Sequence, residues 1–177
     1  MRIVHGEHSG RRIHLPKSLR ARPTTDQARE ALFNILVNRF DFEELEVLDL
    51  FSGTGSISYE FASLGCKHIV SVDIDRFHVA AIQKNFDTLE FNNVMVIRSD
   101  VFRFIKQSSI KCNLIFADPP FDLPDFASIP DKIIQSDLLK PEGLLILEHG
   151  PKYSFENHVN FTELRKYGKV RFSFFSI

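Results

Sequence analysis

The sequence predicts an α/β protein with a mostly parallel, seven-stranded sheet, helices on both faces and an antiparallel hairpin at one edge. From residue 46 to residue 147, short apolar runs typical of buried strands alternate with stretches of helical periodicity. The residues after 160 depart from this alternation, because two apolar runs flank Gly168 at hairpin spacing. Strands that alternate with helices form parallel sheets, and such sheets bind ligands beyond the carboxyl ends of their strands.

The N-terminal residues have a different character. Two short apolar pairs suggest strands on either side of a turn at residues 7–10, with no helical periodicity. The first 25 residues carry a net charge of +5 and residues 163–177 carry +3, so the remainder carries −9. Basic ends are typical of a phosphate-facing surface, although solvated charge is the simpler alternative, above all for the C-terminal segment. We expect a basic hairpin or arm at 1–24 and a main domain at 25–177.

The helices and strands are assigned in chain order. The segment Thr24-Thr25-Asp26-Gln27 matches a capping box with Thr24 as the N-cap, and it predicts a helix from about Thr25 to Phe40. Strands are expected at residues 47–51, 68–72, 94–97, 114–117, 144–147, 161–167 and 170–175. Further helices are expected after residue 55 to residue 64, and at 76–88, 102–107 and 129–139.

Composition restricts the class of protein. At 177 residues with 44% hydrophobic content, the chain is sized for one well-packed domain. No apolar run approaches the roughly 20 residues that span a bilayer, so we expect a cytoplasmic protein. Cys66 and Cys112 lie beside strand-like runs without C-x-x-C spacing, which indicates reduced core thiols. The seven histidines are scattered without ligand spacing, so we expect no metal site.

A glycine-rich turn, Phe51-Ser52-Gly53-Thr54-Gly55, follows the first strand, which contains Asp49. Glycines let the backbone pass close to a ligand, and the next helix presents its N-terminus, so this turn predicts a cofactor site. A dinucleotide-binding turn would have a third glycine where this chain has Ser58, which weakens that interpretation. An ordinary strand-to-helix turn is the alternative.

Carboxylates end the next two strands. Asp73 lies 18 residues after Gly55, near the place expected for a ribose-binding carboxylate, and Asp75 competes for that role although it also suits a helix N-cap. Asp100, followed by Val101, could accept a hydrogen bond from an adenine amino group or cap the N-terminus of the next helix. The chain has no Walker sequence for a triphosphate. These residues favour an adenosine without phosphates and with a cationic or zwitterionic tail, a description that S-adenosylmethionine fits.

The segment Asp118-Pro119-Pro120-Phe121 follows the fourth apolar run and therefore lies at a strand end. Two prolines fix the backbone and donate no hydrogen bonds, so the carbonyls of Asp118 and Pro119 are left to accept them. With the Asp118 carboxylate and the Phe121 ring, they suit a planar ring that bears an amino group, such as a nucleobase. A loop that happens to contain two prolines is the alternative.

Taken in order, these motifs resemble class I S-adenosylmethionine-dependent methyltransferases that modify exocyclic amines. The segment from Arg22 to Asn34 narrows the resemblance to the RsmD-type bacterial 16S rRNA guanine-N2 methyltransferases, and Arg2-Ile3-Val4, Gly10-Arg11-Arg12 and Tyr167-Gly168 match the same family. The resemblance implies a Rossmann-like fold and N2-methylation of a guanine, nucleotide 966 of 16S rRNA, on small-subunit particles during assembly. We expect a monomer.

The resemblance also assigns roles. It implies that Asp118 and the Pro119 carbonyl hold the guanine amine, within a loop that Pro120 completes and with Phe121 packed on the base. The cofactor-binding residues that it implies are Asp49, Gly53 and Gly55 toward the methionine, Asp73 toward the ribose, and Asp100 with Val101 toward the adenine. Phe51, Thr54 and Ile74 are expected to bind the cofactor as well. The expected substrate-binding residues are Arg11 and Arg12 toward phosphates, and Arg22, Thr24, Thr25 and Arg29 toward the substrate or bracing the loop.

Other functions stay open at this point. Methyltransferases of adenine N6 or of protein glutamine more often carry a tyrosine at the position of Phe121, so this residue and the segment from Arg22 to Asn34 favour guanine without excluding them. A non-catalytic RNA-binding assembly factor on the same scaffold would have an eroded cofactor turn. Gly53, Gly55 and Asp73 are intact, which favours an enzyme.

Overall fold

The computed structural model describes residues 1–15 and 25–177, and its centre is one seven-stranded sheet. The strands are β1 (Glu46–Leu50), β2 (His68–Asp73), β3 (Val94–Arg98), β4 (Cys112–Ala117), β5 (Leu139–His149), β6 (Phe161–Tyr167) and β7 (Val170–Ser176). The α-helices of the described residues are α1 (Asp26–Leu36), α2 (Ser56–Ser63), α3 (Arg76–Thr88), α4 (Val101–Gln107) and α5 (Ile129–Ile134). Short 3-10 helices lie at Phe42–Glu44 and Phe126–Ser128.

The strand order is β3-β2-β1-β4-β5-β7-β6. The first five strands of this order pair in parallel, whereas β7 runs antiparallel to both β5 and β6. The predicted fold class is confirmed, and the order is that of a Rossmann-like sheet. The chain moves from β1 to β2 on one side and later returns to β4 on the other side, so the loops after β1 and β4 border a crevice at the carboxyl edge.

Two apolar cores cover the two faces of the sheet, because successive strand residues point to opposite faces. Side chains of α1, α2 and α3 pack against one face, which includes Val47, Phe116 and Ile146. Side chains of α4 and α5 pack against the other face, which includes Leu48 and Leu147. Helices therefore lie on both faces, as predicted.

The N-terminal residues form a short hairpin with one antiparallel bridge, between Arg2 and Arg12. Its apolar side chains do not project from the domain, because Ile3 and Ile13 are buried in the same core as α1 and α2. The amides of Val4 and His5 each donate to the Glu60 carboxylate of α2 at 2.9 Å. The hairpin is therefore docked against the sheet domain.

Several boundaries differ from the sequence prediction, among them the start of β5, which lies at Leu139 and not at Leu144. The N-cap of α1 is Thr25, one residue after the predicted Thr24, and its hydroxyl accepts from the Ala28 amide. α1 ends at Leu36 and gives way to a turn before the predicted end at Phe40. α5 ends at Ile134, because Asp137 has a left-handed φ of 60° and Leu139 already pairs with β4. The predicted bounds of the helix at 76–88 are confirmed.

Candidate active site

A cavity of about 790 Å³ opens at the carboxyl edge of the sheet, where the loops after β1 to β5 meet the β6–β7 turn. Most of the predicted site residues line it together. They are Thr25, Asp49, Phe51, Gly53, Thr54, Asp73, Ile74, Asp100, Val101, Asp118, Pro119, Pro120 and Phe121. The two motifs that the sequence placed at different strand ends, the glycine turn and the Asp-Pro-Pro-Phe loop, therefore share one site.

The glycine turn follows β1 through a run of unusual backbone conformations. Phe51 and Gly53 have φ values of 61° and 54°, and Gly55 has a φ of 77° as the N-cap of α2. A Cβ on Gly55 would lie 2.9 Å from the Ile82 side chain and 3.1 Å from Tyr59. Gly55 is not among the residues that line the cavity, and its contact with the cofactor stays a prediction; in the structure the residue permits the turn to close against α3.

The Asp73 carboxylate fastens this turn to the end of β2. One oxygen accepts from the Gly53 amide at 2.8 Å, and the other accepts from the Asp75 amide at 2.8 Å and lies 3.2 Å from Nδ1 of His78. Each carboxylate oxygen has two acceptor sites, so Asp73 keeps capacity for a ligand hydroxyl where it lines the cavity.

Asp75 and Asp100 both cap helices. Asp75 accepts from the Phe77 amide at 2.7 Å as the N-cap of α3, and this bond is the main cause of the lowered pKa of Asp75. Asp100 accepts from the Arg103 amide at 2.8 Å as the N-cap of α4 and also lines the cavity. Both alternatives for Asp100 are therefore compatible. Beside it, the rings of Phe51 and Phe102 meet edge to face at 6.1 Å and form an apolar wall.

Asp49 is a buried carboxyl in the floor of the cavity, with 2% of its surface exposed. Its Oδ2 accepts from the Ser58 hydroxyl at 2.5 Å, and Ser58 Oγ lies 3.1 Å from the Ser71 hydroxyl. Burial raises the pKa of Asp49 to about 7, the Ser58 hydrogen bond opposes that rise, and the nearby Asp73 adds to it. Ser58, which stands in place of a third glycine, thus has a polar role that the sequence did not reveal.

The Asp-Pro-Pro-Phe loop is held by backbone bonds and aromatic packing. The Asp118 amide donates to the Leu50 carbonyl, and the Leu123 amide closes the turn on the Pro120 carbonyl at 3.0 Å. Phe121 is 39% exposed and lies against Gly150, where an added Cβ would be 3.3 Å from its ring. The Tyr153 hydroxyl donates to the Phe121 carbonyl at 3.2 Å. The loop therefore presents an aromatic face at the cavity in a fixed position.

Glu148, Lys169 and Val170 also line the cavity, although no motif in the sequence marked them as site residues. Glu148 follows the apolar run of β5 just as Asp118 follows that of β4, so the strand-end pattern was sufficient to find it. Lys169 lies in the β6–β7 turn and Val170 begins β7, both far away in sequence, and only the pairing of β7 with β5 brings them to the site.

The expected substrate-binding residues have three different outcomes. Thr25 lines the cavity beside the start of α1, and Arg11 and Arg12 are exposed on the hairpin and do not line the cavity. Arg22 and Thr24 lie outside the described residues. Of the two roles expected for Arg29, a contact with the substrate or bracing, the position of the side chain fits bracing.

Arg29 is fully buried because its guanidinium joins three parts of the chain. Its Nε donates to Glu60 at 3.0 Å, and its Nη2 donates to the Arg2 carbonyl at 2.9 Å and pairs with Asp26 at 3.0 Å. It therefore braces the N-terminal hairpin against α1 and α2 and does not face a ligand.

Several further features limit the chemistry of the described residues. Cys66 and Cys112 are buried free thiols, as predicted, and burial raises the pKa of each. Within residues 1–15 and 25–177, no cluster of His, Cys, Asp or Glu is arranged to hold a metal ion. None of the helices in these ranges is both long and apolar enough to cross a membrane.

Comparison with known families gives a match over nearly the whole chain. A family model described as Conserved hypothetical protein 95 matches residues 1–176. Ribosomal RNA small subunit methyltransferase D of Escherichia coli K12 is 35% identical over 121 residues, which are 68% of this chain but only 60% of that protein. The protein of the same name from Haemophilus influenzae is 30% identical, with 84% of this chain and 78% of that protein covered.

Solved structures share the architecture. A hypothetical protein from Thermus thermophilus superposes with a TM-score of 0.86 and 27% identity, over 100% of this chain and 99% of that one. The T. thermophilus 16S rRNA N2 G1207 methyltransferase RsmC, solved with AdoMet and guanosine, superposes with a TM-score of 0.69 over 86% of this chain and 43% of that one. At 23% identity, the second likeness concerns the fold alone.

Proposed function

The chain belongs to the family described as Conserved hypothetical protein 95, the RsmD family, and on that premise we propose that it transfers a methyl group from S-adenosylmethionine to the exocyclic N2 amine of a guanine in 16S rRNA. The observation that carries the proposal is the single cavity that joins the glycine turn to the Asp-Pro-Pro-Phe loop. The names of the E. coli and H. influenzae relatives support a small-subunit rRNA substrate. Nucleotide 966, an assembling particle as substrate, a monomeric enzyme and a cytoplasmic location are the finer parts of the proposal.

The chemistry of the cavity fits the cofactor. A buried carboxyl such as Asp49, with its raised pKa, suits a cationic amino group, which would favour the ionised form. Asp73 has acceptor capacity for ribose hydroxyls, and Asp100 has it for an adenine amine beside the apolar wall of Phe51 and Phe102. When bound, S-adenosylmethionine supplies a methyl group on a sulfonium, which leaves as a neutral thioether.

The residues of the acceptor loop orient and polarise the amine. The guanine amine is a poor nucleophile, because its lone pair is delocalised into the ring. Hydrogen bonds from the amine to the Asp118 carboxylate and the Pro119 carbonyl direct the lone pair toward the methyl group. As the N–C bond forms and the C–S bond breaks, the nitrogen becomes cationic and its proton passes to Asp118 and then to solvent.

The exposed ring of Phe121 provides a stacking surface for the target base. A base inside a helix must leave its stack to reach the loop, which costs a few kcal/mol, and stacking on an aromatic face offsets part of that cost. The exposed Arg11 and Arg12 supply phosphate contacts outside the cavity.

The test is a comparison of acceptors under one set of conditions. The full chain and labelled S-adenosylmethionine are incubated with unmodified small subunits, naked 16S rRNA, DNA and total protein, and the methylated product is identified by mass spectrometry. We expect N2-methylguanosine in the small-subunit RNA. N6-methyladenosine or methylglutamine as the main product would overturn the substrate assignment, and no transfer with intact cofactor binding would favour a non-catalytic assembly factor.

A further inference from the structure

Glu148 lies beside Asp118 at the carboxyl edge of the sheet. Ala117 of β4 pairs with Leu147 of β5 in parallel register, so Asp118, just past the end of β4, and Glu148, the last residue but one of β5, lie at the same level, with the strands about 4.8 Å apart. By the alternation of strand side chains, Asp118 and Glu148 lie on the face of Phe116 and Ile146. Both line the cavity.

The surroundings of Glu148 make it a selective hydrogen-bond acceptor. Only 4% of its surface is exposed, and its register partner on β7 is the fully buried Phe172. A carboxylate with so little access to water interacts strongly with whichever N–H groups enter the cavity beside it. Bulk water therefore competes weakly for this position.

Lys169 supplies a positive charge on the same side of the cavity. It follows Gly168, whose φ of 61° makes the tight β6–β7 turn, and it precedes the buried Val170. Lys169 is exposed along much of its length, yet it lines the cavity. The acceptor side of the cavity thus combines three carboxylates, those of Asp118, Glu148 and the exposed Asp122, with one ammonium donor.

This combination complements one purine. The Watson–Crick edge of guanine presents an acceptor at O6, a donor at N1 and two donors on the N2 amine. Adenine presents a donor at its 6-amine and an acceptor at N1. Its N1 lone pair would repel a carboxylate, and no hydrogen bond could form between them. A site built to bond an N–H group rejects analogues without it far more strongly than an apolar pocket does.

We infer that Glu148 accepts the N1–H of the target guanine and Lys169 donates to its O6, so that these two residues restrict methyl transfer to guanine. The inference rests on the proposed function and assigns a specificity role that is separate from the role of Asp118 in the transfer itself. Glu148 then recognises N1, the ring atom next to the carbon that bears the reactive amine, and Lys169 recognises O6 at the other end of the Watson–Crick edge.

The test uses two purines that both carry the reactive 2-amine. Small-subunit particles are assembled with 16S rRNA that has either guanine or 2-aminopurine at the methylated position. 2-Aminopurine has a lone pair at N1 and no O6. The wild-type chain should methylate the guanine particle at least about 100-fold faster than the 2-aminopurine particle. In Glu148→Gln, whose amide donates to N1, this ratio should fall by about tenfold or more.

Controls distinguish recognition of the base by Glu148 from a merely structural role of this residue. A structural role for Glu148 would slow both particles equally and leave the ratio unchanged, which would overturn the inference. Glu156→Gln, at an exposed glutamate outside the cavity lining, should keep the wild-type ratio. Calorimetry with S-adenosylmethionine checks that each variant keeps a folded site.

Lys169→Met provides a second test that does not disturb a buried residue. It should slow methylation of guanine about tenfold and leave 2-aminopurine, which has no O6, unchanged. If Glu148→Gln fails to fold, Lys169→Met alone tests the inference. Equal slowing of the guanine and 2-aminopurine reactions by Lys169→Met would then overturn it. If the wild type methylates guanine and both variants keep the wild-type ratio, only this inference fails. If the wild type leaves guanine unmethylated, the proposed function fails and the inference fails with it.

Discussion

The two sides of the cavity are constructed differently. On the cofactor side, after β1 to β3, carboxylates are fixed mainly by backbone amides close in sequence: Asp75 and Asp100 cap the helices that follow them, and Asp73 accepts from the Asp75 amide besides holding the Gly53 turn. On the acceptor side, Phe121 is positioned by Gly150 and Tyr153, and Lys169 arrives from the β6–β7 turn. The cofactor side therefore depends on local turns, and the acceptor side depends on long-range pairing.

This difference predicts that substitutions on the acceptor side reduce turnover without changing cofactor affinity, whereas substitutions on the cofactor side weaken cofactor binding. The largest effect is expected for Asp118→Ala on the acceptor side. Loss of the acceptor for the amine should reduce turnover by a factor on the order of 100 or more, because an oriented polar group in the transition state is removed. Cofactor affinity should be unchanged. Labelled-methyl transfer and calorimetry measure the two quantities.

Asp87→Ala is the matched control, since Asp87 is exposed on α3 and its carboxylate accepts from the Gln83 side chain one turn earlier. It should leave both turnover and cofactor affinity unchanged. Turnover of Asp118→Ala within about threefold of wild type would contradict the role of Asp118, because loss of an oriented transition-state partner costs far more than that.

The next effect is expected for Gly55→Ala on the cofactor side. A Cβ would meet Ile82 at 2.9 Å at a φ of 77°, so both overpacking and backbone strain oppose it. Gly65→Ala is matched in φ, at 85°, but meets no atom within 4 Å. Gly55→Ala should therefore cost about 2 kcal/mol more in unfolding free energy, and it should weaken cofactor binding. Equal denaturant midpoints for the two variants would contradict this prediction.

A pH effect of intermediate size is expected at Asp49. Its pKa is raised to about 7, so the free site is protonated below that pH and pairs poorly with a cationic amino group. As pH rises from about 5.5 to about 7, the affinity for S-adenosylmethionine should increase about tenfold. The amino group of the ligand stays protonated over this range, so the rise reports on Asp49. Calorimetry at several pH values measures this rise.

Two variants test the assignment of that rise. Asp49→Asn should bind more weakly and remove the pH dependence. Ser58→Ala removes the hydrogen bond that lowers the Asp49 pKa, so the rise should move to higher pH. A rise that persists in Asp49→Asn would assign the titration to another group.

The raised pKa of Asp49 also bears on stability. In the unfolded chain this carboxyl loses its proton near its ordinary pKa of 3.8, whereas in the folded protein it does so near 7. Between these values the folded state binds more protons, so the contribution of Asp49 to stability decreases as pH rises through that window.

The smallest effect is expected outside the cavity, at the hairpin. Changing both Arg11 and Arg12 to Ala should reduce RNA affinity about fivefold at moderate salt and lower the slope of log affinity against log salt by about 2, because each phosphate contact contributes close to one. Filter binding at several salt concentrations measures the slope. An unaltered slope would identify these arginines as solvated surface.

The sequence was sufficient for the fold and for the strand-end motifs that line the cavity after β1 to β3, because those signals are local, but it did not reveal the bond from Ser58 to Asp49. Alternating strands and helices, the Gly53 turn and the carboxylates at strand ends all lie within short segments. The sequence left the role of Arg29 open between substrate contact and bracing, because its partner Glu60 lies on another helix and a buried ion pair leaves no periodic signal. Lys169 was missed because only the pairing of β7 with β5 brings its turn to the cavity.

The buried contact between Arg29 and Glu60 has a practical consequence for experiments on the hairpin. Glu60 accepts from the amides of Val4 and His5, and Arg29 donates to the Arg2 carbonyl. Deleting the first five residues would strand two opposite charges in an apolar interior without these bonds, which is a costly arrangement. Loss of these residues would therefore destabilise the fold itself, and RNA contacts at the hairpin are best dissected by substituting its exposed arginines, Arg11 and Arg12.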